Sequence, residues 1–192
     1  KTYLSSSTEF NSKIELYRKS LLLNQKSLPI QDLGAGSKTV NQKVRPVSKI
    51  TRYSSSQAKF ATLYQFFCQL TPAEYVLELG TCVGITTRYL SQVTKGSLWT
   101  IEGAEALWEI AKSDPIPQKT EFVLGEISKM LPPLLSQIPK LDFVLIDANH
   151  TYDGTLGSFE SCLKKIHSKS IIIIGDIHWS KEMELAWQTI KN

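Results

Sequence analysis

Residues 76–84, V-L-E-L-G-T-C-V-G, run a short apolar stretch into a glycine turn. Val76, Leu77 and Leu79 make the stretch, Glu78 interrupts it, and Gly80 and Gly84 frame the turn before a segment of helical character at 85–90. A strand that turns through glycines into a helix gathers bare backbone N–H groups and the positive end of a helix dipole at one point. Glycine also lets a ligand approach the main chain closely. The chemistry favoured there is the seating of a nucleotide-type ligand. Glu102-Gly103, Gly125-Glu126, Asp147-Ala148-Asn149-His150 and Gly175-Asp176-Ile177-His178 each close a further apolar run. Acids at five such ends exceed what helix capping requires, because pooled negative charge is unfavourable without a cationic or hydrogen-donating ligand. His150, three residues after Asp147, is a candidate general base toward a hydroxyl or amine. The other reading of His150 is a loop histidine bonded to its own backbone turn.

Periodicity supplies the elements that must hold these residues. Phe10, Ile14, Leu16, Tyr17, Leu21 and Leu22 predict a helix over 8–23, capped by Ser7 or Thr8. Residues 24–46 are polar, with Gly34 and Gly36, and read as a loop. Ser54, Ser55 and Ser56 then cap a helix over 57–70, with Phe60, Leu63, Tyr64 and Phe67 facing inward. Beyond Thr71-Pro72, strands over 75–79, 97–101, 120–124, 143–146 and 170–174 alternate with helices over 85–92, 105–112, 127–135, 152–166 and 181–190. Pro132-Pro133 predict a distortion of the third of these helices. Five strand–helix units in succession predict an α/β fold. The expected architecture is a Rossmann-like, doubly wound, mainly parallel sheet with helices on both faces and an N-terminal helical extension. Ligands of such sheets sit beyond the carboxyl ends of the strands, where the acids lie.

The 192 residues accommodate one domain with a substantial core, read as an extension over 1–46 and a ligand-binding domain over 47–192. An apolar share of 42% and a charged share of 21% are an ordinary soluble balance. No apolar run approaches the roughly 20 residues that span a bilayer. Cys68, Cys82 and Cys162 are an odd, scattered set, which favours free thiols in a reducing cytoplasm over a disulfide frame or zinc site. No secretory leader is visible after Lys1, so a cytoplasmic location is expected. Residues 1–60 carry 11 Lys+Arg against three acids, whereas residues 61–192 carry 11 against 15. The basic residues are dispersed without interleaved aromatics, which suits a solvated face better than a nucleic-acid interface. A homo-oligomer is compatible with this composition.

Together these residues resemble class I S-adenosylmethionine-dependent methyltransferases over about residues 45–190. The resemblance rests on Glu78-Leu79-Gly80 with Gly84, Ile101-Glu102-Gly103, Gly125-Glu126 and Leu145-Ile146-Asp147. Cys82 stands where a glycine is commoner. The variant E-L-G-T-x-x-G-x-T-T, matched by Thr81, Thr86 and Thr87, is similar to the small O-methyltransferase-like branch. The resemblance implies that Glu78, Gly80, Thr81, Gly84 and Thr86 cradle the amino-acid part of the cofactor. It further implies that Glu102, with Gly103, takes the ribose hydroxyls, that Gly125 and Glu126 flank the adenine, and that Asp147 lies near the methionine end. Paired hydroxyls suit a bidentate carboxylate, and a sulfonium tolerates acidic surroundings. Methyl transfer to a hydroxyl, or an amine, of a small-molecule acceptor is the implied activity, with Asp147 and His150 assisting deprotonation.

The segment 47–59 resembles the family's variable lid, which implies that Arg52 and Ser55 close over the methionine carboxylate or an anionic acceptor; a plain helix start is the alternative. Metal-dependent relatives use acids at the fourth and fifth strand ends followed by an asparagine. Ile177 stands at that position here. A divalent cation at Asp147, Asp176 and His178 is therefore the lesser reading, and no metal is expected. Trp179 and Trp187 are read as core rather than pocket, and Cys82 as loop packing. The family's C-terminal antiparallel hairpin is expected to be missing before Asn192. Two rival functions remain: a nicotinamide-dependent oxidoreductase of Rossmann type, although G-x-G-x-x-G and Tyr-x-x-x-Lys are lacking, and a non-catalytic S-adenosylmethionine-binding module.

Overall fold

Short apolar strands alternate with helices along most of the chain in the computed structural model, which describes residues 12–30, 44–116 and 119–192. The order is α1 (Ser12–Leu23), β1 (Ser27–Pro29), β2 (Val44–Pro46), α2 (Val47–Ser54), α3 (Ala58–Gln69), β3 (Tyr75–Leu79) and α4 (Ile85–Ser91). There follow β4 (Ser97–Glu102), α5 (Glu105–Ser113), β5 (Thr120–Leu124), α6 (Ile127–Gln137), β6 (Phe143–Ile146), α7 (Tyr152–Leu163), β7 (Ile171–Ile174) and α8 (Lys181–Lys191). The last five strands form one parallel sheet in the order β5-β4-β3-β6-β7. The chain enters at the centre, builds outward to β5, and returns to lay β6 on the other side of β3. That reversal opens a crevice beyond the tips of β3 and β6.

Alternation along the strands divides the core between the two faces. Leu77, Leu79, Ile101, Val144 and Ile146 face α6 and α7, packing with Leu131, Leu135 and Cys162. Val76, Leu98, Phe143 and Leu145 face the other way, toward Cys68 and Leu90 of α3 and α4. A third cluster joins Ile14, Leu21, Leu28, Val47 and Ile50 of the N-terminal elements to Val83, Tyr89 and Leu107. At about 1.5–3 kcal/mol for each large apolar side chain buried, that cluster fastens α1 to the sheet domain across residue 46.

The parallel sheet and its helices follow the sequence expectations, with several local differences. The span read as a loop over 24–46 contains the antiparallel pair β1 and β2, joined by Leu28↔Arg45. Ser7, Thr8, Gly34 and Gly36 lie outside the described residues. α2 is a separate helix, and α3 starts at Ala58 with Gln57 as an N-cap that makes no side-chain bond. The serines therefore do not cap it. α6 runs unbroken through Pro132 and Pro133. Both prolines and the residues whose carbonyls lose a partner, Ser128 and Lys129, are exposed, so water replaces the missing N–H donors. α7 ends at Leu163, short of 166. Cys68, Cys82 and Cys162 are free thiols. No helix among the described residues is long and apolar enough to cross a membrane.

Candidate functional site

A cavity of about 600 Å³ lies beyond the carboxyl ends of the strands. The loop after β3 forms its floor. Gly80 has φ +102°, and a Cβ there would lie 2.3 Å from the backbone oxygen of Asp147, so only glycine fits. The N–H groups of Gly80 and Thr81 both donate to the Ile101 carbonyl, at 3.0 and 3.3 Å. Below the loop, the Thr81 and Thr100 hydroxyls meet at 2.5 Å. Thr100 donates to Glu78 Oε2 at 2.6 Å, and Thr87 donates to the same oxygen at 2.5 Å.

Glu78 is thus placed differently from the expectation. It shares the sheet face of Val76, under α4, with none of its surface exposed and no place on the cavity wall. Burial pushes its carboxyl up to about 8 against the two hydroxyl donors, and the negative charges of Asp147 and Glu102 add to the rise. Gly84 and Gly125 also stand off the cavity wall. A Cβ at Gly84 would meet Ala111 at 3.0 Å, so it serves the contact of α4 with α5. The Gly125 N–H donates to the Glu102 carbonyl at 2.8 Å.

Gly80, Thr81, Thr86, Glu102, Gly103, Glu126, Asp147, His150 and Ser55 all line the cavity. Glu102, ending β4, receives the Cys82 N–H on Oε2 at 2.8 Å and the Ala104 N–H on Oε1 at 2.9 Å. Two backbone donors orient this carboxylate toward the cavity. Cys82 itself takes φ +50°, and burial pushes its thiol well above its ordinary value. Glu126 pairs with Lys129 at 2.7 Å and accepts from Ser128, which holds its carboxyl below the usual range.

The opposite rim carries Asp147 after β6 and Asp176 after β7. His150 Nε2 lies 3.6 Å from Asp147 Oδ1 and 3.5 Å from Asp176 Oδ2. Asn149, His150 and Asp176 all have positive φ, at 64°, 47° and 49°, a concentration of left-handed backbone typical of functional loops. The His150 backbone N–H closes a tight turn onto the Ala148 carbonyl at 2.8 Å, but among the described residues its ring Nε2 is buried without a hydrogen-bond partner and does not bond the turn. Burial raises the Asp176 carboxyl, Asp147 adds to the rise, and His150 opposes it. The Trp179 ring lies 5.7 Å from the His150 ring, whereas the side chain of His178 is 80% exposed and turns to Glu184.

Ligand atoms of Asp147, His150 and Asp176 lie within 4.8 Å of one another. His150, not His178, is therefore the imidazole that joins the two acids. Two carboxylates and an imidazole are poorer in oxygen than magnesium or calcium prefers.

Ser54 ends α2, and residues 55–57 run over the cavity as an extended strap to α3. Ser55 Oγ donates to the Thr51 carbonyl, and Ser56 Oγ donates to Asp147 Oδ2 at 3.3 Å. Arg52 is absent from the cavity wall, while Ile50, Tyr53, Phe60 and Tyr64 complete it. Tyr53 and Arg45 are wall residues that sequence reasoning does not single out, while it reads Ser56 and Tyr64 as a helix cap and a core-facing helix residue rather than as wall. Burial, and then the charges of Asp147 and Asp176, push the Tyr64 phenol well above its ordinary value.

Known proteins share this fold. A family described as "Methyltransferase domain" matches residues 77–177. Among curated protein sequences, none is similar to the chain at a significant level. The O-methyltransferase TomG of Streptomyces achromogenes, involved in tomaymycin synthesis and solved with SAM, superposes with a TM-score of 0.61 at 20% identity. That match covers 72% of this chain and 69% of TomG. An O-methyltransferase of Bacillus cereus, solved with SAH, superposes with a TM-score of 0.62 at 21% identity over 71% of this chain and 70% of its own.

Proposed function

This chain belongs to the methyltransferase-domain family, and we propose that it moves a methyl group from S-adenosylmethionine to a hydroxyl of a small-molecule acceptor. The observation that carries the reading is Glu102, a carboxylate aimed by two backbone N–H groups at the wall of a cavity whose floor is bare glycine-loop backbone. A pair of ribose hydroxyls is the natural partner of such an acceptor. The S-adenosylmethionine and S-adenosylhomocysteine in the neighbouring O-methyltransferases support the same cofactor here.

When bound, the cofactor supplies a methyl group on a positively charged sulfur, open to displacement by the acceptor. The chain's own work is placement and proton handling. Gly80 and Thr81 offer close backbone to the amino-acid portion, Glu102 holds the sugar, and Gly103 and Glu126 bound the base. Ser55 lies on the strap above. Asp147 and His150 stand at the acceptor end. His150 Nε2, 3.6 Å from Asp147 Oδ1 and 3.5 Å from Asp176 Oδ2, is the group placed to receive the acceptor's proton. An amine acceptor would use the same base, and the apolar wall of Ile50, Tyr53 and Phe60 suits the body of a small organic molecule.

Calorimetric titration with S-adenosylhomocysteine and NAD tests the cofactor. Binding of the first and not the second is expected, and the reverse would return the nicotinamide reading. Glu102→Ala removes two charge-assisted acceptors and is expected to weaken S-adenosylhomocysteine about 10- to 100-fold. Radiolabelled methyl transfer to a panel of phenols and amines, with His150→Ala in parallel, separates a catalyst from a binding module.

A further inference from the structure

The cavity's roof is tied down by a helix that lies outside the family-matched segment 77–177. On α1, Arg18 Nε lies 3.0 Å from both carboxylate oxygens of Glu15, and Arg18 Nη1 donates to the Ser56 carbonyl at 2.8 Å. The Arg18 side chain is only 12% exposed, and Nη2 is buried without a partner among the described residues. A guanidinium at that depth is costly to desolvate unless its remaining donors are well used. Among the described residues, the strap carbonyl is the hydrogen-bond partner it has beyond its own helix. Glu15, in turn, accepts from the Tyr89 hydroxyl of α4 at 2.9 Å. Tyr17, the neighbour of Arg18, donates to the Val83 carbonyl in the glycine loop at 2.9 Å.

One short stretch of α1 therefore grips both the roof and the loop that forms the floor. The strap residue that Arg18 holds by its backbone is the one whose Oγ reaches Asp147 Oδ2 at 3.3 Å. Gln57 makes no capping bond, so helix capping does not explain where the strap lies. We propose that Arg18 is a positioning residue that holds residues 55–57 over the cavity and, through Ser56, sets the carboxylate of Asp147. The inference rests on the reading of the cavity as a methyl-donor site.

The test compares the full chain with Arg18→Met, which keeps the apolar stem and removes the donors, with Arg18→Lys, which restores one, and with Ser56→Ala. The probe is S-adenosylhomocysteine, titrated by calorimetry, with amide hydrogen exchange followed in the unliganded protein. Arg18→Met is expected to weaken binding about tenfold, the effect of one charge-assisted hydrogen bond. It should also speed exchange of the amides at 55–57 while those of β3 and β6 stay protected. Arg18→Lys should recover most of both effects, and Ser56→Ala should add little in the Arg18→Met background. Arg18→Met with unchanged affinity and strap protection, Arg18→Lys as impaired as Arg18→Met, or additive effects with Ser56→Ala would each overturn the proposal. A wild type that does not bind S-adenosylhomocysteine would overturn the donor reading instead, and hydrogen exchange would still decide whether Arg18 holds the strap.

Discussion

Two carboxyl groups are fully buried at opposite ends of the same sheet, and they are handled in opposite ways. Glu78, near the carboxyl ends of the strands, has two hydroxyl donors on Oε2 and no partner for Oε1 among the described residues. Asp142, just before β6, receives the Glu74 and Tyr75 N–H groups on Oδ2 at 2.8 and 3.0 Å. Its other oxygen lies 2.7 Å from His167 Nε2. Burial pushes Asp142 upward too, but His167, the two N–H groups and Lys140 outweigh it, so its carboxyl sits below the ordinary value. Burial alone thus does not decide whether an acid keeps its proton; the number and charge of the donors aimed at it do. The end of the sheet away from the cavity is bolted by a charged group. The end beneath the glycine loop rests on one that favours the neutral form.

The largest expected effect breaks the bolt. Asp142→Ala takes the acceptor from the Glu74 and Tyr75 N–H groups and from the partly buried His167, and is expected to lower unfolding free energy by about 3–5 kcal/mol in urea titrations. Glu78→Gln sharpens the contrast through pH. A carboxyl with a raised folded value contributes stability that is fully present below its unfolded value of 4.5 and lost as pH climbs through about 8. Glu78→Gln has no such proton. The variant is therefore expected to gain on the wild type by several kcal/mol between these limits, read from unfolding curves at several pH values. A parallel pair of curves would place the Glu78 proton elsewhere. The smallest effect belongs to Thr87→Val, which removes one hydroxyl donor at constant shape. It is expected to cost about 1 kcal/mol more at pH 9 than at pH 5, since the charged form depends most on that donor.

The same contrast shows where sequence reasoning reaches and where it stops. The apolar runs of β4, β6 and β7 and the acids that end or follow them are local signals, and they place Glu102, Asp147 and Asp176 at strand tips. Glu78 follows the same local signal to a different end. Alternation puts it on the face of Val76, beneath α4, and its partner Thr100 is on a neighbouring strand through the register Glu78↔Thr100. The choice of His150 over His178 depends on three left-handed residues that no propensity announces. Ser56 resembles a helix cap because its partner, Asp147, is 91 positions away. β1 and β2 are three residues each, too short for alternation to register, and both end in proline.

The contact between Gly80 and Asp147 has a wider consequence. With no room for even a methyl group between the two lips of the crevice, neither can thicken or drift without displacing the other. Substitutions that retune the acceptor side will therefore be felt at the donor side as well, and adaptation to new acceptors has its freest ground at Tyr53 and Phe60, cavity-wall residues of the roof helices that remain open to solvent.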